Sequence, residues 1–140
     1  MPKIYRTMLV EGGKPKVGTE SKMLGVRVAP NPHPDIAVDE HGTVHPATGG
    51  MSVVPEWREL PWHLIPRRLH PRARGHDDLV CWRLGDGLFE RNALNGDLIL
   101  RPDPDMPTTH GFVEPANAMA IAEYQGALVA TRDDWIRDES

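Results

Sequence analysis

Seven histidines among 140 residues raise metal chemistry first. His41 and His45 lie four apart around Gly42, and in an extended segment both face the same side, as a metal pair would. No Cys or third ligand stands nearby at a recognised spacing, so surface or loop histidines are the plainer reading. Nucleophilic chemistry would have to come from the single Cys81, but it sits in an apolar run where a free thiol behaves as a small buried hydrophobe. No G-x-S-x-G elbow, P-loop or GxGxxG is present. Residues 57–76 carry arginines and two tryptophans, a combination that can bind single-stranded nucleic acid; the alternative is a Pro-rich loop with Trp57 and Trp62 folded back on the core. The net charge of -4 opposes a polyanionic strand and favours the loop.

Three further groups of polar residues stand out. Arg6 directly follows Tyr5 in an apolar N-terminal run. In Thr48-Gly49-Gly50-Met51-Ser52 a hydroxyl lies just past a glycine pair, where backbone can approach a ligand closely. His110 and Glu114, four apart in a strand-like segment, can project to one face. Taken singly, these also read as a surface ion pair, a turn and an edge strand.

The elements that must position them are short. Fourteen Pro and thirteen Gly exceed the usual share without reaching the low-complexity range, which excludes a helical bundle and demands many turns. Apolar residues at 39% and charged residues at 26% suit one globular domain over residues 1–140. No apolar run is long enough to span a membrane, and the N-terminus lacks the apolar core of a secretory signal. Strands are expected at residues 4–10, 23–29, 52–54, 79–84, 97–101 and 109–114, and a single helical turn at residues 56–60. In the strand at 79–84, Leu79, Cys81 and Arg83 take one face and Val80, Trp82 and Leu84 the other. Residues 30–34, with three prolines, can be neither helix nor central strand, and residues 61–76 read as an exposed or clamped loop. Tyr124, Leu128, Thr131 and Trp135 follow Ile121 at helical spacing, with Arg132 and Arg137 suited to the negative pole of the helix dipole. Strands followed by a closing helix predict an α+β fold. Charge is split as well: eleven Lys and Arg against seven acids through His76 give +4, and five Arg against thirteen acids beyond it give -8. The first half can therefore present a positive surface to a phosphate.

Three blocks carry a likeness to known proteins. They are Tyr5-Arg6 in an apolar strand; Pro34-Asp35-Ile36 through Gly42 to Pro46-Ala47-Thr48-Gly49-Gly50-Met51-Ser52-Val53; and Thr109-His110, then Pro115-Ala116, Met119, Tyr124 and Leu128. In these blocks, which touch about half of the chain, the sequence resembles a family of small bacterial cytotoxins with an ADP-ribosyltransferase-like fold, typified by a type VI secretion effector that acts in an NAD-dependent manner. Residues 56–105 do not match the family.

The resemblance implies a compact fold of short, mostly antiparallel strands with loops and a C-terminal helix. It implies NAD as substrate, with ADP-ribose passed to a cytoplasmic target or to water. Cleaving the nicotinamide–ribose bond passes through an oxocarbenium-like state. Arg6 would then hold the NAD phosphates or ribose, and Ser52 and Thr48 the nicotinamide-ribose end, with Tyr5, Gly49 and Gly50 completing the NAD surface. Glu114 would stabilise the ribosyl cation or orient the acceptor nucleophile, and His110 would orient a ribose hydroxyl or hold the strand. No metal is implied. A toxin in bacterial competition would act in the cytoplasm of the producing or target cell, possess a cognate immunity or antitoxin partner, and be exported without a signal peptide. Two other readings stand beside it: a non-enzymatic module that docks a protein or nucleic acid through residues 57–76, and a family member that has kept the fold as an interaction surface.

Overall fold

The computed structural model describes residues 1–29 and 33–140. Of the proline-rich stretch at 30–34, Pro30, Asn31 and Pro32 lie outside the described residues. The strands are β1 (Ile4–Met8), β2 (Val10–Glu11), β3 (Lys14–Pro15), β4 (Thr43–Val44) and β5 (Met51–Val53). After three short 3-10 turns come β6 (Val80–Leu84), β7 (Asn92–Ala93), β8 (Leu98–Pro102), β9 (Gly111–Pro115) and β10 (Met119–Ala120). The helix α1 (Ile121–Val129), a 3-10 turn and β11 (Ile136–Arg137) complete the order. The fold is α+β, as the sequence predicts, with antiparallel ladders throughout the two main sheets.

Those sheets run β1-β6-β11 and β5-β9-β8-β7. They are joined by one antiparallel pair, in which Tyr5 N–H donates to Val54 O at 2.7 Å and Val54 N–H to Tyr5 O at 3.0 Å. The main core lies against both sheets and holds Ile4, Met8, Val80, Trp82, Leu84, Leu98, Leu100 and Val113. A second cluster, containing Tyr5, Val54, Trp57, Ile65 and Cys81, covers the opposite face of β1 and β6. The alternation predicted for β6 is therefore what divides the two cores. Burial pushes the Cys81 thiol up to about 12, which leaves it a packing residue.

The segment expected as a strand at 23–29 is extended and buries Leu24 and Val26, but among the described residues its backbone pairs as an isolated parallel bridge of Leu24 with Val17 rather than as a ladder. Side chains extend that pairing. Arg6 bonds Met23 O, the Gln125 amide bonds both Val26 N–H and Val26 O, and the Asp35 carboxylate accepts Arg27 N–H at 2.7 Å.

The C-terminal helix is also shorter than its apolar spacing predicts. Thr131 N–H and Thr131 Oγ1 both bond Leu128 O, which tightens the backbone into a 3-10 turn. Tyr124, Leu128, Thr131 and Trp135 are all buried as expected, but Trp135 arrives by way of that turn, its indole N–H donating to Thr131 Oγ1. Arg137 lies in β11, beyond any helix dipole, and Arg132 bonds the carbonyls of Pro15 and Glu11 in the β2–β3 hairpin. The terminal strand, which helical periodicity hid, pairs Ile136 with Arg83 and Arg137 with Trp82. Among the described residues no helix is long and apolar enough to cross a membrane.

Residues 61–76 are clamped. Ile65 is buried, Gly75 N–H donates to Ile65 O, and Arg68 reaches Asp77, Leu79 O and Glu139. Trp57 is buried with its indole N–H on Ser140 O, whereas Trp62 is exposed and stacks on His70 rather than folding back on the core. Asp138 closes the same region. It accepts Tyr5 Oη–H and Arg83 Nε–H at 2.9 Å each, while Ser140 N–H and Oγ–H bond its other oxygen.

The Ser140, Tyr5 and Arg83 hydrogen bonds favour the carboxylate, and the Asp138 carboxyl titrates at about 2 instead of 3.8. A carboxyl depressed on folding stabilises the native state above the unfolded value and loses that contribution as pH falls through the folded one. Urea unfolding should therefore show stability declining from about pH 4 towards pH 2. Asp138→Asn should lose on the order of 2 kcal/mol at pH 7 and flatten that acid limb.

Candidate functional site

The β1–β5 ladder stops after one residue pair. Tyr5 and Val54 exchange both hydrogen bonds, but among the described residues Ser52 O has no backbone donor from β1; it accepts Arg6 Nη1–H at 2.8 Å instead. Arg6 Nε and Nη2 both donate to Met23 O, at 3.2 and 3.0 Å. Beside this junction is a cavity of about 570 Å³. Arg6, Ser52 and His110 line it together, so three of the residues singled out from the sequence converge on one space.

Arg6 is 6% exposed, and among the described residues no carboxylate lies within ion-pair distance. Its bonds are to neutral carbonyls, and they use three of the five guanidinium N–H groups. Burial draws its pKa down to about 10, against the charge of Asp35, which acts to raise it. It remains a cation at neutral pH, in a low-dielectric wall where an anion is attracted more strongly than in water. Thr7 Oγ1, next along β1, is buried without a hydrogen-bond partner among the described residues, and Thr7 also lines the cavity.

His110 stands at the other end of the lining. Asp103 Oδ2 lies 2.8 Å from its Nδ1, and the Phe112 ring meets the imidazole edge-on at 4.9 Å and 86°. Asp103 is held below the usual carboxylate range by the Asp105 backbone N–H and then by His110. An ionised carboxylate can only accept, so Nδ1 of His110 carries the proton. Ser52 projects an exposed side chain from β5, opposite Phe112.

The remaining residues singled out from the sequence are not brought to this cavity. Tyr5 points into the second core, with its hydroxyl on Asp138. Thr48 Oγ1 closes a turn onto His45 O at 2.7 Å. The glycine pair accommodates the protein's own backbone rather than a ligand. A Cβ at Gly49, where φ is +115°, would lie 2.2 Å from Asp35 O, and one at Gly50 2.5 Å from Val113 O.

Glu114 shares the Phe112 face of β9, as alternation requires, but it is 1% exposed. Its Oε2 accepts Arg101 Nε–H at 2.7 Å and Ala47 N–H at 3.0 Å. Ala47 has φ +64°, a conformation costly for any residue with a Cβ, so Glu114 holds a strained turn to the sheet. The two candidate metal ligands also diverge. His45 bonds Asp39 at 2.9 Å and His41 lies against Glu40; among the described residues no three His, Cys, Asp or Glu groups gather to hold a metal.

Two polar cavity residues lie in the segment that had no family likeness. Glu59 ends the 3-10 turn at Trp57–Glu59, and His63 lies on the next one, Trp62–Leu64. Burial of Trp57 and Leu60 on one side of that turn leaves Arg58 and Glu59 on the other, a local pattern visible in the sequence. Nothing in the sequence shows that the turn folds over β1 and β5. Leu60, Leu64 and Met106 supply apolar wall, giving the mixture of greasy surface and few polar groups usual in small-molecule sites.

Glu114→Gln should lower unfolding free energy by about 3–5 kcal/mol, because it leaves the Arg101 charge largely buried without its partner. Guanidinium unfolding measures this loss, and Ala47→Gly in the same background should recover part of it by removing the Cβ from the left-handed turn. No protein-family model matches the chain, and no curated protein matches its sequence; the chemistry of the site therefore rests on its own geometry.

Proposed function

We propose that the chain is an ADP-ribosyltransferase-like domain that binds NAD in the Arg6 cavity and cleaves the nicotinamide–ribose bond, passing ADP-ribose to a macromolecule or to water. One observation carries this reading: a buried guanidinium bonded only to neutral carbonyls, a hydroxyl and an imidazole line a single cavity of about 570 Å³. Arg6 suits a phosphate, because its two uncommitted N–H groups and full charge can meet anionic oxygens. Ser52 suits a ribose hydroxyl or the nicotinamide amide.

The oxocarbenium-like transition state needs negative charge nearby, and within the cavity lining the carboxylate is Glu59. Glu59 takes the role that the family likeness gives to Glu114. The same reading makes the chain a bacterial toxin that acts in a cytoplasm and is neutralised by an immunity or antitoxin partner.

Purified protein incubated with NAD and cell lysate should release nicotinamide. Glu59→Gln, on an exposed turn, should cut that release by about 10²–10³-fold with no change in thermal melting. Arg6→Lys should weaken NAD binding, because a single ammonium cannot reproduce the fork. Wild-type protein that leaves NAD intact across a range of lysates overturns the proposal.

A second reading draws on residues 57–76. Trp62 is 41% exposed, and among the described residues Arg67, Arg72 and Arg74 are exposed with no side-chain partner. As a nucleic-acid module, the chain would bind single-stranded RNA at low salt and release it steeply as salt rises. Absence of binding at 20 mM salt, as an order-of-magnitude choice well below physiological ionic strength, eliminates that form.

A further inference from the structure

Asp103 and His110 are the two ends of the loop that joins β8 to β9. They continue its ladder by one step beyond the Pro102–Gly111 pair. Asp103 N–H donates to His110 O at 2.9 Å, Met106 N–H to Asp103 O at 3.1 Å, and His110 N–H to Met106 O at 3.0 Å. Prolines at 102, 104 and 107 stiffen the connection. The side chains then meet across the ladder, with the imidazole 23% and the carboxylate 13% exposed. Phe112 fixes the ring edge-on from the same face of β9.

We propose that His110 is the general base of the cavity and that Asp103 is its positioning residue. The proposal rests on the reading of the cavity as an NAD-cleaving site. Asp103 accepts the Nδ1 proton, so in the neutral imidazole Nε2 is the ring's acceptor. The ring contacts the Asp103 carboxylate, on which Arg101 of β8 also acts, and the charged or titratable side chains that share its cavity are Arg6, Glu59 and His63.

With a hydroxyl acceptor, for instance, Nε2 takes the proton from its O–H as that oxygen bonds to C1′ of the ribose. The C1′–N bond breaks, and its electron pair neutralises the pyridinium nitrogen, so nicotinamide leaves without needing a proton. The imidazolium then returns its proton to solvent. A base of this kind is useful only to a nucleophile that carries a proton. It therefore defines the acceptor class as a proton-bearing nucleophile, water or an O–H, N–H or S–H group of a macromolecule, and not a carboxylate.

Two measurements test the assignment. Nitrogen-15 spectra of the His110 ring should show the Nδ1–H tautomer in wild-type protein and a shift towards Nε2–H in Asp103→Asn, whose amide can donate to Nδ1. Steady-state nicotinamide release should give a kcat/KM profile with an acid limb, and that limb should disappear in His110→Gln. Asp103→Asn should lower kcat at least tenfold with KM nearly unchanged and with wild-type circular dichroism. If wild-type protein releases nicotinamide but His110→Gln stays within threefold of it and keeps the acid limb, the base is overturned and the NAD reading survives. If wild-type His110 is Nε2–H, the positioning role of Asp103 is overturned. If wild-type protein releases no nicotinamide, both readings fall together.

Discussion

The molecule depends on one buried cation bridging two sheets that have begun to part. Among the described residues β1 exchanges backbone hydrogen bonds with the end of β5 through the Tyr5–Val54 pair alone, and beyond that pair the Arg6 guanidinium spans the gap to Ser52 O. It also takes Met23 O, so three segments far apart in sequence meet at one planar group. A hydrocarbon there would take its donors from two part-buried carbonyls, and a lysine lacks the planar fork that spans both. Arg6 is thus a structural residue and a cavity residue at once, for the same reason. The opening it spans is the opening a ligand would use.

Around this junction, side chains repeatedly do what backbone ladders do elsewhere. Gln125 and Asp35 pair with the backbone of residues 26–27 as a neighbouring strand would. Tyr124 Oη donates to Val113 O and accepts Met51 N–H, which locks α1 to β5 and β9 where those strands present Ser52 and Phe112. Glu114 fastens the strained turn at Ala47 to the same sheet. Such contacts allow a chain with many prolines to be rigid without long ladders. They also concentrate the cost of error, since removing one buried partner strands another.

What could be read from the sequence follows from this. Period-two alternation marked β6 and bounding turn and proline residues marked β8 and β9, and each of these strands is covered on a face by a dense core. A strand-like run marked residues 23–29, which are extended, but such a run says nothing of what the backbone pairs with. Helical spacing found Tyr124 and Leu128 and ran on through Trp135, because a 3-10 turn keeps a similar side-chain rhythm while ending the helix. The site divides in the same way. Arg6, Ser52 and His110 were visible as polar residues in apolar strands, whereas Glu59 and Asp103 depend on loops folding over those strands. For Glu114, alternation gave the face correctly, and the close cover of Arg101 and Ala47 decided its role.

The pairing of β1 with β6 carries a consequence for time as well as for shape. Ile4 through Met8 find their partners in Leu84 through Val80, so the N-terminal strand must wait for a segment some eighty positions later before it has a ladder. The β8–β9 hairpin closes over a short loop and can form early, but closing the longer span costs entropy before any contact rewards it. Arg6 lies on the waiting strand. The wall of the cavity that bears the positive charge thus waits for residues 80–84, and Met106, Thr109 and His110 of the same lining are synthesised later still, so the cavity is among the last features a growing chain can complete.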